Sequence, residues 1–110
     1  MQLPNCLQAY IPFEKLSAYL LSETHAIGKA KATFFRALGF NETNVHLLEH
    51  GILTLPHSAL AQEVIPSPHG VKYVIEGVLE TPRGTAPRIS TVWILETGET
   101  NSRFVTAYPA

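Results

Sequence analysis

The spacing of the apolar residues changes near Pro56, and this change limits the fold more than any other feature of the chain. Before Pro56 the apolar residues recur at intervals of three and four, as they do on one side of a helix. After it, most clearly over residues 71–76, apolar and polar residues alternate, as they do in a half-buried strand. Helices followed by strands predict an α+β fold, in which the helices cover one face of an antiparallel sheet.

Two or three helices are predicted in the first half, after an irregular or extended lead-in over residues 1–11. Proline suits the first helical position, serine and threonine cap the start of a helix, and glycine can end it in a left-handed conformation. These signals place the helices at 12–22, from Ser22 or Thr24 to Gly39, and from Asn41 or Thr43 to near Gly51 or shortly after. Pro56 is expected to exclude an unbroken extension of the third helix.

Strands are predicted in the second half at 71–76, 89–95 and 103–108, with a weaker candidate at 61–65. The segment 89–95 is almost continuously apolar, which favours a central position in the sheet. Turn-forming residues occupy 81–84 and 97–101 between these strands. Consecutive strands with short connections predict a β-meander, and we expect residues 1–110 to form a single domain.

Composition limits the compartment and the classes of partner. One cysteine, Cys6, cannot form an internal disulfide, and the first residues lack the pattern of a secretion signal. No apolar run approaches the roughly 20 residues that span a bilayer, so we expect a cytoplasmic protein without membrane association. The net charge of −1 provides no overall attraction to nucleic acid. An RNA-binding site would therefore need a local cluster of basic residues.

Lys31 interrupts the apolar pattern of the second predicted helix. On an ideal helix it lies about 40° from Ile27, inside the stripe that Phe34 and Leu38 continue. An ammonium group in such a position needs water or a polar partner. Lys31 is therefore either a structural lysine whose stem runs out to solvent or a member of a functional site.

The other side of the same helix carries His25, Lys29 and Arg36, whose spacing is close to whole helical turns. This arrangement is typical of an ordinary solvated face, and it is also a basic stripe that could hold phosphate. On the last strand, strict alternation would place Thr106 and Tyr108 on the same face as Phe104. Their two hydroxyls would then be available as partners of Lys31.

The sequence lacks the motifs of several enzyme classes. We find no phosphate-binding loop, no dinucleotide fingerprint and no Gly-x-Ser-x-Gly elbow. His46 and His50 are four residues apart, but no glutamate follows His46 and no third ligand is evident. We therefore expect no metal site and no cofactor.

Three blocks of the chain resemble a bacterial family described as domain of unknown function 6883. They are His25-x-x-Gly28-x-x-Lys31-Ala32-x-Phe34-Phe35-x-x-Leu38-Gly39-Phe40, Thr91-Val92-Trp93-Ile94 and Thr106-Ala107-Tyr108-Pro109. The resemblance spans nearly the whole chain but brings no established activity. The order of helices and meander, with a lysine and a histidine on a helix and a polar last strand, is more distantly similar to the barnase-EndoU-colicin-RelE group of toxin ribonucleases.

This distant similarity implies a small bacterial toxin-like ribonuclease that uses the ribose 2′-hydroxyl and no metal. It implies RNA as the substrate and a cognate antitoxin or immunity protein as the partner. The residue roles that it implies are His25 as general acid or base and Lys31, with Arg103 if it is close, as stabilisers of the phosphorane charge. Thr106 and Tyr108 would be positioning groups, and Lys29, Arg36 and Arg103 would be substrate-binding cations. A cleft with Lys31, Tyr108 and one more cation is expected.

The alternative function is a non-catalytic protein-binding module of a toxin–antitoxin-type pair. It predicts an open sheet edge or an exposed apolar patch, without a convergent polar cleft. A different small-molecule enzyme is a third interpretation and would need an enclosed pocket. A homodimer stays open in each case.

Overall fold

The computed structural model describes residues 2–21 and 29–110. Within these ranges the chain forms helices followed by a four-stranded antiparallel sheet with the order β1-β2-β3-β4. The elements are a 3₁₀ turn at Cys6–Gln8, α1 at Phe13–Lys15 with a π-helical continuation at Leu16–Leu20, α2 at Lys29–Ala37, α3 at Val45–Ser58, β1 at Ala61–Ser67, β2 at Gly70–Val78, β3 at Arg88–Glu96 and β4 at Arg103–Pro109. The α+β prediction and the meander are confirmed. No helix in the described part of the chain is both long enough and apolar enough to cross a membrane.

The end of α2 follows the sequence prediction, whereas its predicted start at Ser22 or Thr24 lies outside the described residues. Gly39 has a φ of 104°, a left-handed conformation that glycine adopts without strain. The N–H of Phe40 donates to the carbonyl of Phe35 at 3.2 Å, and both side chains are buried. This bond pattern and the apolar contact are those of a Schellman terminus.

The third helix is longer than predicted, because it passes through both Gly51 and Pro56. A Cβ atom on Gly51 would lie 2.6 Å from Cδ1 of Leu79, so this glycine permits close packing of α3 against the chain after β2. Pro56 removes one helical hydrogen bond, but it lies in the last turn and the helix ends two residues later at Ser58. The prediction that Pro56 excludes an extension was wrong.

One face of the sheet, which we call the inner face, forms the core under the helices. Its buried residues are Tyr73, Ile75, Ile89, Thr91, Trp93, Phe104 and Ala107. The buried hydroxyl of Thr91 donates to the carbonyl of Ile75 at 2.8 Å and accepts a bond from Nε1 of Trp93 at 2.9 Å. The polar atoms of this pair of side chains are thus satisfied inside the core.

A β-bulge in β4 changes which side chains share a face. Trp93 pairs with Phe104, whereas the preceding residue of β3 pairs with Thr106, so Val105 is an extra residue. Phe104 and Ala107 both point into the core, and Thr106 and Tyr108 therefore point to the opposite, outer face. The predicted common face for Phe104, Thr106 and Tyr108 was wrong, because simple alternation makes no allowance for a bulge.

Candidate functional site

Lys31 lies beside the end of the last strand. It precedes the fully buried Phe35 by one helical turn, so its stem follows the margin of the core and its side chain is half-buried. Its Nζ atom lies 5.6 Å from the centroid of the Tyr108 ring, within the range of a cation–π interaction. The sequence predicted a contact with hydroxyls of this strand, and the structure contains a contact with the aromatic ring instead.

Tyr108 belongs to a row of three side chains across the outer face. It pairs with Ser90 of β3, and Ser90 pairs with Glu76 of β2. Directly opposed side chains of neighbouring strands have Cβ atoms about 5 Å apart. The Cβ atoms of Glu76 and Tyr108, two strands apart, are therefore separated by about 10 Å. Arg88, two residues before Ser90, donates from Nε to Oε1 of Glu76 at 2.8 Å.

We call the five residues Lys31, Glu76, Arg88, Ser90 and Tyr108 the outer-face cluster. It combines one carboxylate, two cations and two hydroxyl groups along one end of the sheet. The side chains of Arg88 and Glu76 are 57% and 26% exposed and Tyr108 is 37% exposed, whereas Ser90 between them is buried, so solvent reaches the two ends of the row. These groups can neutralise an anion and can exchange protons with it.

Thr106 and Arg103 occupy different positions relative to this cluster. Thr106 lies two residues before Tyr108 on the outer face and pairs with Val92. Arg103 pairs with Ile94 near the other end of the sheet, roughly 16 Å along the strand from Tyr108. The structure therefore does not bring Arg103 to Lys31. The guanidinium of Arg103 instead forms an ion pair with Glu96.

Arg36 lies away from the outer-face cluster, since it follows Lys31 by five residues and so points about 140° around the helix. Its Nε and Nη2 atoms donate to the carbonyl of Leu21 at 3.1 and 2.6 Å, and its guanidinium forms an ion pair with Glu42. The hydrogen bond from the Arg36 guanidinium to the Glu42 carboxylate lowers the pKa of Glu42 below its usual value. Arg36 thus connects α2 to the end of the preceding helical segment.

Two predicted site residues are not placed by the structure. His25 lies outside the described residues, and so does the side chain of Lys29, although the backbone of Lys29 begins α2. Both therefore remain predictions from the sequence. Across the residues that are described, no group of three or more His, Cys, Asp or Glu side chains could hold a metal ion.

The family model described as Domain of unknown function (DUF6883) matches residues 2–110. The chain belongs to this family. No curated protein matches it in sequence. Among solved structures, the fold is similar to that of a chain described as "Contact-dependent growth inhibition toxin - immunity protein complex from Klebsiella pneumoniae 342". The TM-score is 0.73 and the identity 15%, over 94% of this chain and 95% of that chain. At this identity the likeness concerns the fold.

Sequence reasoning missed Glu76, Arg88 and Ser90 in this DUF6883 member. The polar positions of their strands were visible, because Glu76 alternates with the core residue Ile75. Their proximity to Tyr108 depends on the pairing register of three strands, which alternation within one strand does not reveal. The local signal was a carboxylate on a strand, which Glu63 and Glu96 share, so it did not single out Glu76.

Proposed function

We propose that the chain is a toxin-like, metal-independent ribonuclease whose reaction centre is the outer-face cluster. The observation that supports this most is the ammonium group of Lys31 over the ring of Tyr108, which ends the row of paired residues that begins at Glu76. Cleavage of RNA by its own 2′-hydroxyl requires a base, an acid and cations around the phosphate, and it requires no metal. The fold likeness to a chain of a toxin–immunity complex supports a relation to toxin systems.

In the proposed reaction the carboxylate of Glu76 accepts the proton of a ribose 2′-hydroxyl. The 2′-oxygen forms a bond to phosphorus while the bond from phosphorus to the 5′-oxygen of the next nucleotide breaks. The products are a 2′,3′-cyclic phosphate and a free 5′-hydroxyl. We assign the proton for the leaving 5′-oxygen to His25, because histidine titrates near neutral pH.

We assign the stabilisation of the negative charge on the phosphorane to two cations of the cluster, Lys31 and Arg88. The hydroxyls of Tyr108 and Thr106 would position the phosphate or the 2′-hydroxyl. Lys29, Arg36 and Arg103 remain proposed contacts to flanking phosphates. Arg36 and Arg103 would have to share or release Glu42 and Glu96, their present partners.

The test compares the intact chain with Lys31→Ala and with Lys72→Ala as a matched control. Lys72 is an exposed lysine of the outer face that pairs with Ile94, at the end of the sheet remote from Tyr108. The measurement is the cleavage rate of a fluorescent RNA oligonucleotide in the presence of EDTA. We expect cyclic-phosphate products, a loss of about 100-fold for Lys31→Ala and a loss of less than about threefold for Lys72→Ala. If the intact chain leaves RNA uncut, or if both variants lose activity equally, the proposal fails.

A non-catalytic protein-binding module is the second candidate function. Three large apolar side chains on and beside the edge strand β1 favour it, since Leu60, Val64 and Ile65 are 64%, 42% and 43% exposed. Val64 and Ile65 lie on opposite faces of this edge, since they pair with Tyr73 and Lys72, and an exposed apolar edge of this kind can be covered by a partner protein. The module predicts no RNA cleavage by the intact chain, so the same assay separates the two functions.

A further inference from the structure

A groove of about 500 Å³ lies between α3 and the end of β2. Its helical wall consists of Leu47, His50, Gly51 and Thr54, and its other wall consists of Val78, Glu80, Thr81 and Pro82. The other three helical residues follow Leu47 by three, four and seven positions and therefore lie with it on one continuous face of α3. We call this feature the α3–β2 groove.

The edge of β2 is unpaired along this groove, because β1 is too short to cover it. The last pair between the two strands joins Ala61 to Ile75, and β2 continues to Val78. Successive residues of an antiparallel strand direct their backbone groups to opposite neighbours. Since the N–H of Leu79 donates to Pro87 at 2.9 Å, the N–H and C=O groups of Val78 and Glu80 face the other way, toward the groove.

The side chains of the groove indicate the chemistry of its occupant. Leu47 and Val78 are 45% and 44% exposed on opposite walls, which leaves an apolar slot between them. Glu80 is exposed, and among the described residues neither lysine nor arginine lines the groove. An occupant with an apolar side chain and a positive charge would match both features.

We propose that the α3–β2 groove binds an extended segment of a partner protein as an added strand on β2. The segment places an apolar side chain between Leu47 and Val78 and a lysine or arginine beside Glu80. An extended peptide fits because its own N–H and C=O groups match those at the free edge. A small apolar molecule would instead leave these backbone groups without hydrogen bonds.

The outer edge of the sheet at β1 is less suited to the same role. Pro66 has no N–H to donate, and the strand is irregular between Ala61 and Glu63. The groove adjoins the proposed reaction centre, since its residue Val78 pairs with Arg88 and follows Glu76 by two positions on β2. Peptide binding is measured without RNA and RNA cleavage without peptide, so the failure of one proposal is distinguishable from the failure of the other.

The probe is an acetylated and amidated peptide, Lys-Val-Thr-Val-Lys, titrated into the intact ¹⁵N-labelled chain. We expect amide shifts concentrated at residues 76–82, slower hydrogen exchange at Val78 and Glu80, and a Kd below about 1 mM. The control peptide Glu-Val-Thr-Val-Glu should bind about tenfold more weakly, because its charges oppose Glu80. The peptide Lys-Val-Pro-Val-Lys should also bind more weakly, because it lacks the central N–H.

Two variants locate the binding on the protein. Leu47→Asp should abolish the shifts, whereas Leu60→Asp, also at an exposed leucine, should leave them unchanged. The proposal is overturned if the first peptide shifts no amide of residues 76–82, or if Leu47→Asp binds it as well as the intact chain does. It is also overturned if sedimentation shows a dimer of the chain that Leu47→Asp dissociates, since a second copy would then be the occupant. The RNA cleavage assay is unaffected by any of these results.

Discussion

The two faces of the sheet differ in the burial and the hydrogen bonding of their polar groups. On the inner face the hydroxyl of Thr91 and the indole N–H of Trp93 are buried and hydrogen-bonded, and apolar side chains surround them. On the outer face the ion pair of Glu76 and Arg88 retains contact with solvent, and Lys31 of α2 reaches the ring of Tyr108 at the other end of the same row. The comparison indicates that one face stabilises the fold while the other is available for chemistry. Substitutions should therefore separate stability from activity.

The largest expected effect is the loss of folding stability when the side chain at the centre of the inner face is truncated. Trp93 is fully buried and packs edge-to-face on Phe104 at 5.4 Å between ring centroids. Trp93→Ala should lower the free energy of unfolding by about 3–5 kcal/mol, through lost burial and a cavity. Urea unfolding followed by circular dichroism measures this change. Tyr108→Leu, at an aromatic residue of the outer face, should cost less than about 1 kcal/mol. Similar costs for the two variants would remove the distinction between the faces.

The second prediction concerns activity on the outer face. Glu76→Gln should lower the rate of RNA cleavage about 100-fold, because the amide cannot accept the 2′-hydroxyl proton. Its free energy of unfolding should change by less than about 1 kcal/mol, since the ion pair with Arg88 is partly exposed. Glu63→Gln is the matched control, because Glu63 is exposed and pairs with Val74 on the same face. Equal cleavage rates for the two variants would exclude Glu76 as the base.

The third prediction compares neighbouring hydroxyl residues that point to opposite faces. Thr91→Val keeps the side-chain shape but leaves the N–H of Trp93 without its buried acceptor, which should cost about 1–3 kcal/mol. Ser90→Ala should change the free energy of unfolding by less than about 0.5 kcal/mol. Chemical denaturation of both variants measures the difference. A larger loss for Ser90→Ala would mean that the outer face also supports the fold.

The smallest expected effect lies outside both faces, at the ion pair of Arg36 and Glu42. The hydrogen bond from Arg36 lowers the pKa of Glu42 from its usual value of 4.5. Because the folded pKa is the lower one, the ion pair stabilises the fold above pH 4.5 and this contribution disappears as the pH falls through the folded pKa. Glu42→Gln should therefore unfold at a slightly lower temperature than the intact chain at neutral pH, and the two should converge in acid. A difference that persists in acid would contradict the assigned cause.

The sequence by itself determined the features that depend on neighbouring residues. An apolar pattern is a property of a single strand, so the alternating residues 71–76 and the almost continuously apolar residues 89–95 could be assigned without knowing their partners. The end of α2 was equally local, because only glycine adopts the conformation of Gly39 without strain. Lys31 was recognised as unusual for the same reason, since its position relative to Phe34 and Leu38 follows from helical geometry.

Tertiary structure decided the features that depend on residues distant in the chain. Gly51 lies inside α3 because Leu79 packs against it, and a local pattern cannot distinguish a packing glycine from a terminating one. The bulge at Val105 reversed the expected face of Thr106 and Tyr108, since a single extra residue inverts a period of two. The row from Glu76 through Ser90 to Tyr108 exists only because three strands pair in this register. Strand pairing is a contact between distant segments of the chain. The alternation within one strand therefore does not fix the register in which the neighbouring strand pairs with it.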